Sequence, residues 1–441
     1  MRGSTRAAAQ RGATAWDRGR WLFPAALVLA CTGCAANYQD VMRNVSQDLA
    51  AQQPQAALKS LDKLQGGGDQ LLYLLNKAMV LRMQGDYAAS VQAFEQAKPL
   101  MLYLEATSFT ETAAALTLSE GARTYQAPLY ERLLVHVYQG LNFLQMGQPD
   151  QARVEAAQVD DLLKRLYPNT DASPVGGDAF PRYFSGLVFE DLGEYSDAMI
   201  AYRQAYQAYK AQGDSDAVIP EDLKMSLCRF ADFLGLSDEL NGYKQRFGIS
   251  QWPTVNKQDA QGQVIFVFSD GLGPLKFAQT SPLLDPVSGH YFSVSLPVLQ
   301  RRPPAIQAVD VTAADASAHS ERMASIAADA SQQMAADRPK LLAAEFTRNV
   351  VRSAAANQAD KKEQGLGTLV SLVATIADQA DIRIWGTLPD NIQVARLRLP
   401  PGTYDLTVSF IGGGGAPRVI KNVQVQAGQM TFESLQWAYL N

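Results

Sequence analysis

The sequence predicts an α+β protein: a long row of paired helices first, then a strand-rich antiparallel region with helices inserted in it. Two observations carry the prediction. Short glycine-centred breaks recur between amphipathic helical stretches up to about Gly248. Beyond about Gln251 the apolar period falls from 3.6 to 2, most cleanly near the C-terminus.

With 441 residues the chain exceeds what one hydrophobic core usually organises. The expected division is an export signal over 1–33, a helical domain over 36–250 and a mixed domain over 258–441. In the last of these, strands from 261–311 and 392–439 are expected to enclose helices from 316–380. The formal charge of −5 argues against a nucleic-acid binder.

The N-terminus carries Arg2, Arg6, Arg11, Arg18 and Arg20, followed by the apolar run WLFPAALVLA and then CTGC. That run is too short to hold a bilayer span. The arrangement resembles a lipobox, which implies cleavage before an acylated (palmitate-bearing) cysteine. Cys31 has Val28 and Ala30 at the favoured preceding positions and is the preferred lipidation site; Cys34, preceded by Gly33 and Thr32, is the alternative. Neither is followed by Asp, which by the same resemblance implies the outer membrane, with the chain facing the periplasm.

The helical region repeats a half-motif of glycine, one residue, an aromatic or proline, then small residues at helical spacing. It reads GDYAASVQAFEQA (Gly85, Tyr87, Phe94), GQPDQARVEAAQV (Gly147, Pro149, Ala152) and GEYSDAMIAYRQA (Gly193, Tyr195, Ala198, Tyr202). Gly140 and Gly186 each precede the next turn glycine by seven residues, where a small residue lets antiparallel helices approach closely. These residues resemble the tetratricopeptide repeat (TPR), a helix–turn–helix unit. The resemblance implies an α-solenoid whose first helices line a concave face. Carried over position by position, that partner-binding groove comprises Met79, Arg82 and Met83, with Leu75 beside them. It continues through Leu141 and Gln145 with Val137 and Leu144, then Tyr183, Glu190 and Asp191 with Leu187. Most of these are apolar, so two readings stand: a groove for peptides or helices of other envelope proteins, or one filled by the chain itself, for instance by the 100–127 insertion.

In the mixed domain GQVIFVFSD, GHYFSVSLPVL and PPAIQAVDVTA are expected strands, LGTLVSLVATIA (366–377) a buried helix, and ARLRL and YDLTVSF strands with one wet face. Pro400–Pro401–Gly402 suits a turn joining the last two as a hairpin. The expected whole is an antiparallel β-sandwich-like domain. The competing arrangement places two small sheets around a separate helical hairpin.

Chemistry-bearing patterns are sparse. His136, His290 and His319 lack metal-ligand spacing, Cys228 reads as a small buried hydrophobe, and Gly412–Gly415 reads as a hairpin loop with no GK[ST] after it. Asp378, Asp381, Arg383 and Trp385 cluster near the end of the apolar helix and read as a polar patch or a salt bridge, with an acid/base pair the minor alternative. No metal, no cofactor and no catalytic residue is therefore expected. The order of parts is similar to an uncharacterised family of proteobacterial lipoproteins with TPR-like repeats, a likeness that implies location and architecture only. The favoured reading is a non-enzymatic binding scaffold or assembly factor of the envelope. An enzyme acting on peptidoglycan and a structural subunit of an outer-membrane machine are the alternatives.

Overall fold

The computed structural model describes residues 38–66, 68–108, 124–170, 172–255, 261–284, 291–362, 380–413 and 415–438. Cys31, Cys34, His290, Asp378 and the apolar stretch 366–377 lie outside them. The helical part runs α1 (38–50), α2 (Pro54–Leu61), α3 (Gln70–Met83), α4 (Tyr87–Ser108), α5 (Leu129–Gln145) and α6 (Pro149–Leu166). It continues with α7 (Ala179–Asp191), α8 (Tyr195–Ala211), α9 (Glu221–Phe233) and α10 (Ser237–Phe247).

Consecutive helices fold back on one another across short turns, and each pair packs on the next. The turn glycines Gly85, Gly147 and Gly193 have φ of +79°, +68° and +72°, a left-handed conformation that costs glycine no Cβ clash. Two glycines inside helices are there for space. A Cβ on Gly140 would sit 2.8 Å from Phe184, and one on Gly186 would sit 2.5 Å from Tyr202. Phe94, Ala198 and Tyr202 are fully buried between helices, Tyr87 stacks under the Arg82 guanidinium, and Tyr195 packs on Phe230 and Phe233.

The strand-rich part comprises β1 (Gly262–Asp270), β2 (Leu275–Leu284), β3 (Tyr291–Gln300), β4 (Ala308–Ala313), β5 (Ala316–His319) and β6 (Glu321–Ser325). The long helix α11 (Ile326–Lys362) follows, then β7 (Asn391–Leu399), β8 (Gly402–Ile411), β9 (Arg418–Val425) and β10 (Met430–Trp437). One sheet has the order β10-β1-β7-β6, a second the order β5-β4-β8-β9, and among the described residues β2 and β3 pair only with each other. Strands from before and after α11 therefore mix within both four-stranded sheets.

Three expectations are corrected, and one strand without a sequence signal is added within 261–311. Residues 316–325 are strands, and helix begins only at Ile326; the alanine-rich ASAHSERMAS disguises a period of two. LKFAQTSPLL, whose polar residues and Pro282 mask its strand character, is β2. The sheet is not wholly antiparallel, since β1 pairs parallel with β10. And Pro400–Pro401 does not close a hairpin: β7 and β8 belong to different sheets, so the two prolines, which lack N–H donors, turn the chain from one layer to the next.

The two four-stranded sheets enclose a core of Val264, Phe266, Phe268, Leu397, Leu406 and Val408. The opposite face of β1, β7 and β10 contributes Ile265, Val267, Val394 and Phe432 to a second core, and that core is shared with the helices. The sheet β10-β1-β7-β6 is thus a middle layer with both faces covered. This explains the nearly unbroken apolar run of β1, because only a strand covered on both sides tolerates it.

Candidate functional site

The concave face of the helical row is where a site was expected, and it is covered by the middle sheet. Leu75, Met79, Val137, Leu141, Tyr183 and Leu187 are at most 1% exposed. The polar members of the groove are tied to strands. Arg82 donates from Nη2 to Ser434 Oγ at 2.6 Å, and Gln145 Nε2 donates to the Phe432 carbonyl at 3.0 Å. The Met430 amide donates to Asp191 Oδ1 at 3.1 Å. Met83 and Leu144, half-buried, pack against the same core. A partner-binding role for Met79, Arg82, Met83, Leu141, Gln145, Tyr183, Glu190 and Asp191 does not fit this geometry. An apolar groove and an apolar sheet face have buried each other; most of the 100–127 insertion lies outside the described residues.

The strongest tie is a charge cluster around Glu190. Its carboxylate accepts from Arg229 Nη2 and from Tyr202 OH at 2.6 Å on one oxygen, and from Arg396 Nη1 at 3.1 Å on the other. Arg396 also spans Asp222 with two bonds of 2.7 and 3.1 Å, and Tyr183 OH donates to the same carboxylate. Burial alone would raise the Glu190 pKa, but Arg229 and Arg396 more than offset it and bring it to about 2. The alternation of ARLRL predicts a wet face for Arg396; instead it crosses from β7 into the helical groove. Neighbouring Asp191 is pushed up to about 6, by burial first and by Glu190, against the Met430 amide.

A second tie is the segment 380–390, which threads between α1, α3 and α5. Trp385 is 1% exposed and meets Phe94 edge-on at 5.9 Å between centroids. Its amide donates to buried Glu131 at 3.0 Å, and the Thr387 amide donates to Asn76 Oδ1 at 3.1 Å. Arg383 bridges Asp381 and Asp69 at 2.8 and 3.0 Å, and Tyr38 OH donates to the Ile384 carbonyl. The described members of the cluster, Asp381, Arg383 and Trp385, therefore bridge the two parts, and Asp69, Asn76 and Glu131 are partners that no local motif announced.

Of the histidines, His136 Nδ1 lies 2.7 Å from Glu155, which also holds Lys98 at 2.6 Å; exposed His319 pairs with Asp310. Among the described residues no group of three or more His, Cys, Asp or Glu is placed to hold a metal ion. Cys228 is buried, and burial pushes its thiol up to about 11. Gly412 and Gly413 lie in the loop joining the antiparallel strands β8 and β9.

At the end of β1 and the start of β7, Asp270 and Asn391 are register partners, and the Asp270 Oδ2 and Asn391 Oδ1 atoms have no hydrogen-bond partner among the described residues. Burial raises the Asp270 carboxyl to about 7, helped by nearby Asp390, which itself pairs with Arg301 at 2.9 Å. Beside them an open cleft of about 640 Å³ is lined by Glu221, Lys224, Arg301, His319, Glu321 and Arg322, both signs intermixed. Glu321 caps the start of α9 through the Glu221 and Asp222 amides.

No family model matches the chain, and no curated protein matches it. Among solved structures, the chain is similar to MamA MSR-1 C2 at 12% identity, over 48% of this chain and 94% of that one, with a TM-score of 0.28. It is similar also to a tetratricopeptide repeat protein from Parabacteroides merdae ATCC 43184 at 13% identity, over 50% and 82% of the two chains, with a TM-score of 0.22. Likenesses this slight carry neither partner nor activity.

Proposed function

We propose that this protein is a non-enzymatic scaffold of a Gram-negative cell envelope. In this reading it is held to the outer membrane by an acylated Cys31 or Cys34 and faces the periplasm. The observation that carries the scaffold reading is the filled groove. Helices that elsewhere read a partner here hold the chain's own sheet, fixed by the Glu190–Arg396 cluster and the 380–390 bridge. What this leaves for partners is the outer face. There Val154 on α6 and Ile200 on α8, each seven residues after its turn glycine, are 50% and 48% exposed. Equivalent apolar positions repeated on a solvent face are of the kind that interaction surfaces use.

Two measurements test the reading. Radiolabelled palmitate should enter the wild-type protein and be lost with one of Cys31→Ser and Cys34→Ser; label retained in the double variant removes the anchor. Photo-crosslinking residues placed at Val154 and Ile200 in living cells should give a discrete adduct with an envelope protein, whereas the same probe at Met79 or Leu187 should give none. Adducts from the groove positions, or from no position, would overturn the scaffold reading.

A further inference from the structure

We infer that the open cleft between the start of α9 and the corner joining β5 to β6 binds the free carboxyl end of a peptide chain. This contact is separate from the outer helical face proposed above, and it depends neither on that face nor on the acyl anchor.

The cleft, about 640 Å³, is of a size to take a small ligand or the last residues of a chain. The acids at its edge are engaged. Glu221 pairs with Lys224 at 2.9 Å, Glu321 accepts the first amides of α9, and His319 is held by Asp310 at 2.8 Å. Its two arginines keep capacity to spare. Arg322 is exposed and has no ion pair among the described residues; Asp214 feels its charge only from beyond ion-pair distance. Arg301 gives Nε and Nη2 to buried Asp390 at 3.3 and 2.9 Å, which fixes the guanidinium plane and leaves Nη1 without a partner among the described residues. A guanidinium held along one edge is set to receive an anion along another.

The floor supplies the second observation. Asn391, 6% exposed, lines the cleft, and its Oδ1 is enclosed without a partner among the described residues. Asp270, its register partner on β1, is 1% exposed and has an equally unpartnered Oδ2. Side chains opposed across neighbouring strands lie within reach of each other. The protonated Asp270 carboxyl can therefore donate to Asn391 Oδ1, which leaves the Asn391 Nδ2 edge as a neutral donor for the cleft. Two guanidinium groups and one amide donor, with the local acids engaged elsewhere, select an anion. Beside them stand Val218, 63% exposed, with Pro220, Pro304 and Ile306. An inorganic anion makes no use of that apolar wall. The last residue of a peptide does, because it carries a carboxylate and a side chain on one carbon.

The test uses the full-length protein in detergent, dialysed against acetylated peptides randomised at their last three positions and supplied both as free acids and as C-terminal amides. Retained peptides are counted by mass spectrometry. Free acids should be retained at least about tenfold over amides, the worth of one charge-assisted hydrogen bond. Arg322→Gln should lower that retention about tenfold, whereas Arg153→Gln on α6 should leave it unchanged. Arg301→Gln should abolish it. Because that change strands buried Asp390, Arg301→Lys and a thermal melt accompany it, and Arg322→Gln carries the test if Arg301→Gln does not fold. Acids and amides retained equally, neither form retained, or retention indifferent to Arg322→Gln would each overturn the proposal. So would full displacement of the peptides by inorganic phosphate at the same concentration, because the cleft would then be a general anion site. Crosslinking from Val154 and Ile200 is read separately, so failure of the outer-face reading with peptide retention intact, or the reverse, is recognised for what it is.

Discussion

Replacing Glu190 by Gln should destabilise the whole protein, because Glu190 sits where the helices and the middle sheet meet. Its carboxyl is 5% exposed and titrates at about 2 against an ordinary 4.5. That difference corresponds to about 3 kcal/mol of native-state stabilisation by the ionised form. The sign follows from the direction. A depressed acid stabilises fully above the unfolded pKa, and the contribution drains away as pH falls from about 4.5 through about 2. Glu190→Gln also removes the carboxylate that pairs with Arg229, 4% exposed, and leaves it the neutral Ser226 hydroxyl at 3.2 Å and the Phe230 ring at 4.8 Å. Stranding a buried charge costs about 3–5 kcal/mol, so a loss in that range is expected at pH 7. Urea unfolding, followed by far-ultraviolet dichroism and by tryptophan emission, should show one coincident transition shifted to lower urea. Pairing Glu190→Gln with Arg229→Met should recover part of the loss, a coupling of about 2 kcal/mol. A loss under about 1 kcal/mol at pH 7, or one that stays the same at pH 2, would refute the reasoning.

Other perturbations follow from the same contacts. Asp270 is raised to about 7, so its protonated form stabilises the fold below pH 4 and that contribution is lost as pH rises through 7. Asp270→Asn should therefore raise Tm at pH 8 and flatten the stability profile between pH 4 and 7, an effect on the order of 2–4 kcal/mol read by calorimetry across pH. Gly186→Ala drives a methyl into Tyr202 and should cost about 1–3 kcal/mol in denaturant melts; Gly242→Ala, where nothing lies within 4 Å, should cost little or nothing. Trp385→Ala empties the space against Phe94 and should cost about 3–5 kcal/mol, with both spectroscopic probes again moving together.

The helix pairs were legible because their signals are local. A turn glycine, an aromatic two or nine residues on, and a small residue seven before lie within one pair, and the positions Gly140, Gly186, Phe94 and Tyr202 do what their residue types imply. What lay beyond reach was everything joining distant segments. Arg396 alternates with Ala395 and Leu397 as any half-exposed strand residue would; only the pairing of β7 beside β1, and of that sheet against α7, turns it toward Glu190. Glu131, Asn76 and Asp69 look like ordinary helix-surface residues until 380–390 passes beside them. One long-range signal does stand in the sequence. QVIFVF, apolar on both alternating faces, announces a strand covered on both sides, and with it a layer that needs the helices as its second cover.

That dependence bears on how the chain reaches its folded state. Without the helical row, the middle sheet would show Ile265, Val267, Val394 and Phe432 to water on one face and leave Arg396 without its carboxylates. Without β10, β1 would lack its parallel neighbour, since Gln263 pairs with Met430 and Asp270 with Trp437. The sheet therefore completes only when the last residues of the chain join strands about 170 residues earlier, a loop closure among the slower events in folding. The helices need only neighbours in sequence and form sooner. Until the sheet arrives, their concave face is an open apolar groove, competent for the same strand-like segments from any other source. A groove that ends up filled by its own chain is thus a liability during folding and a rigid frame afterwards. The buried charges at Glu190, Asp222 and Arg396 make the correct occupant distinguishable, because a foreign apolar strand that displaced Arg396 would leave two carboxylates buried against it.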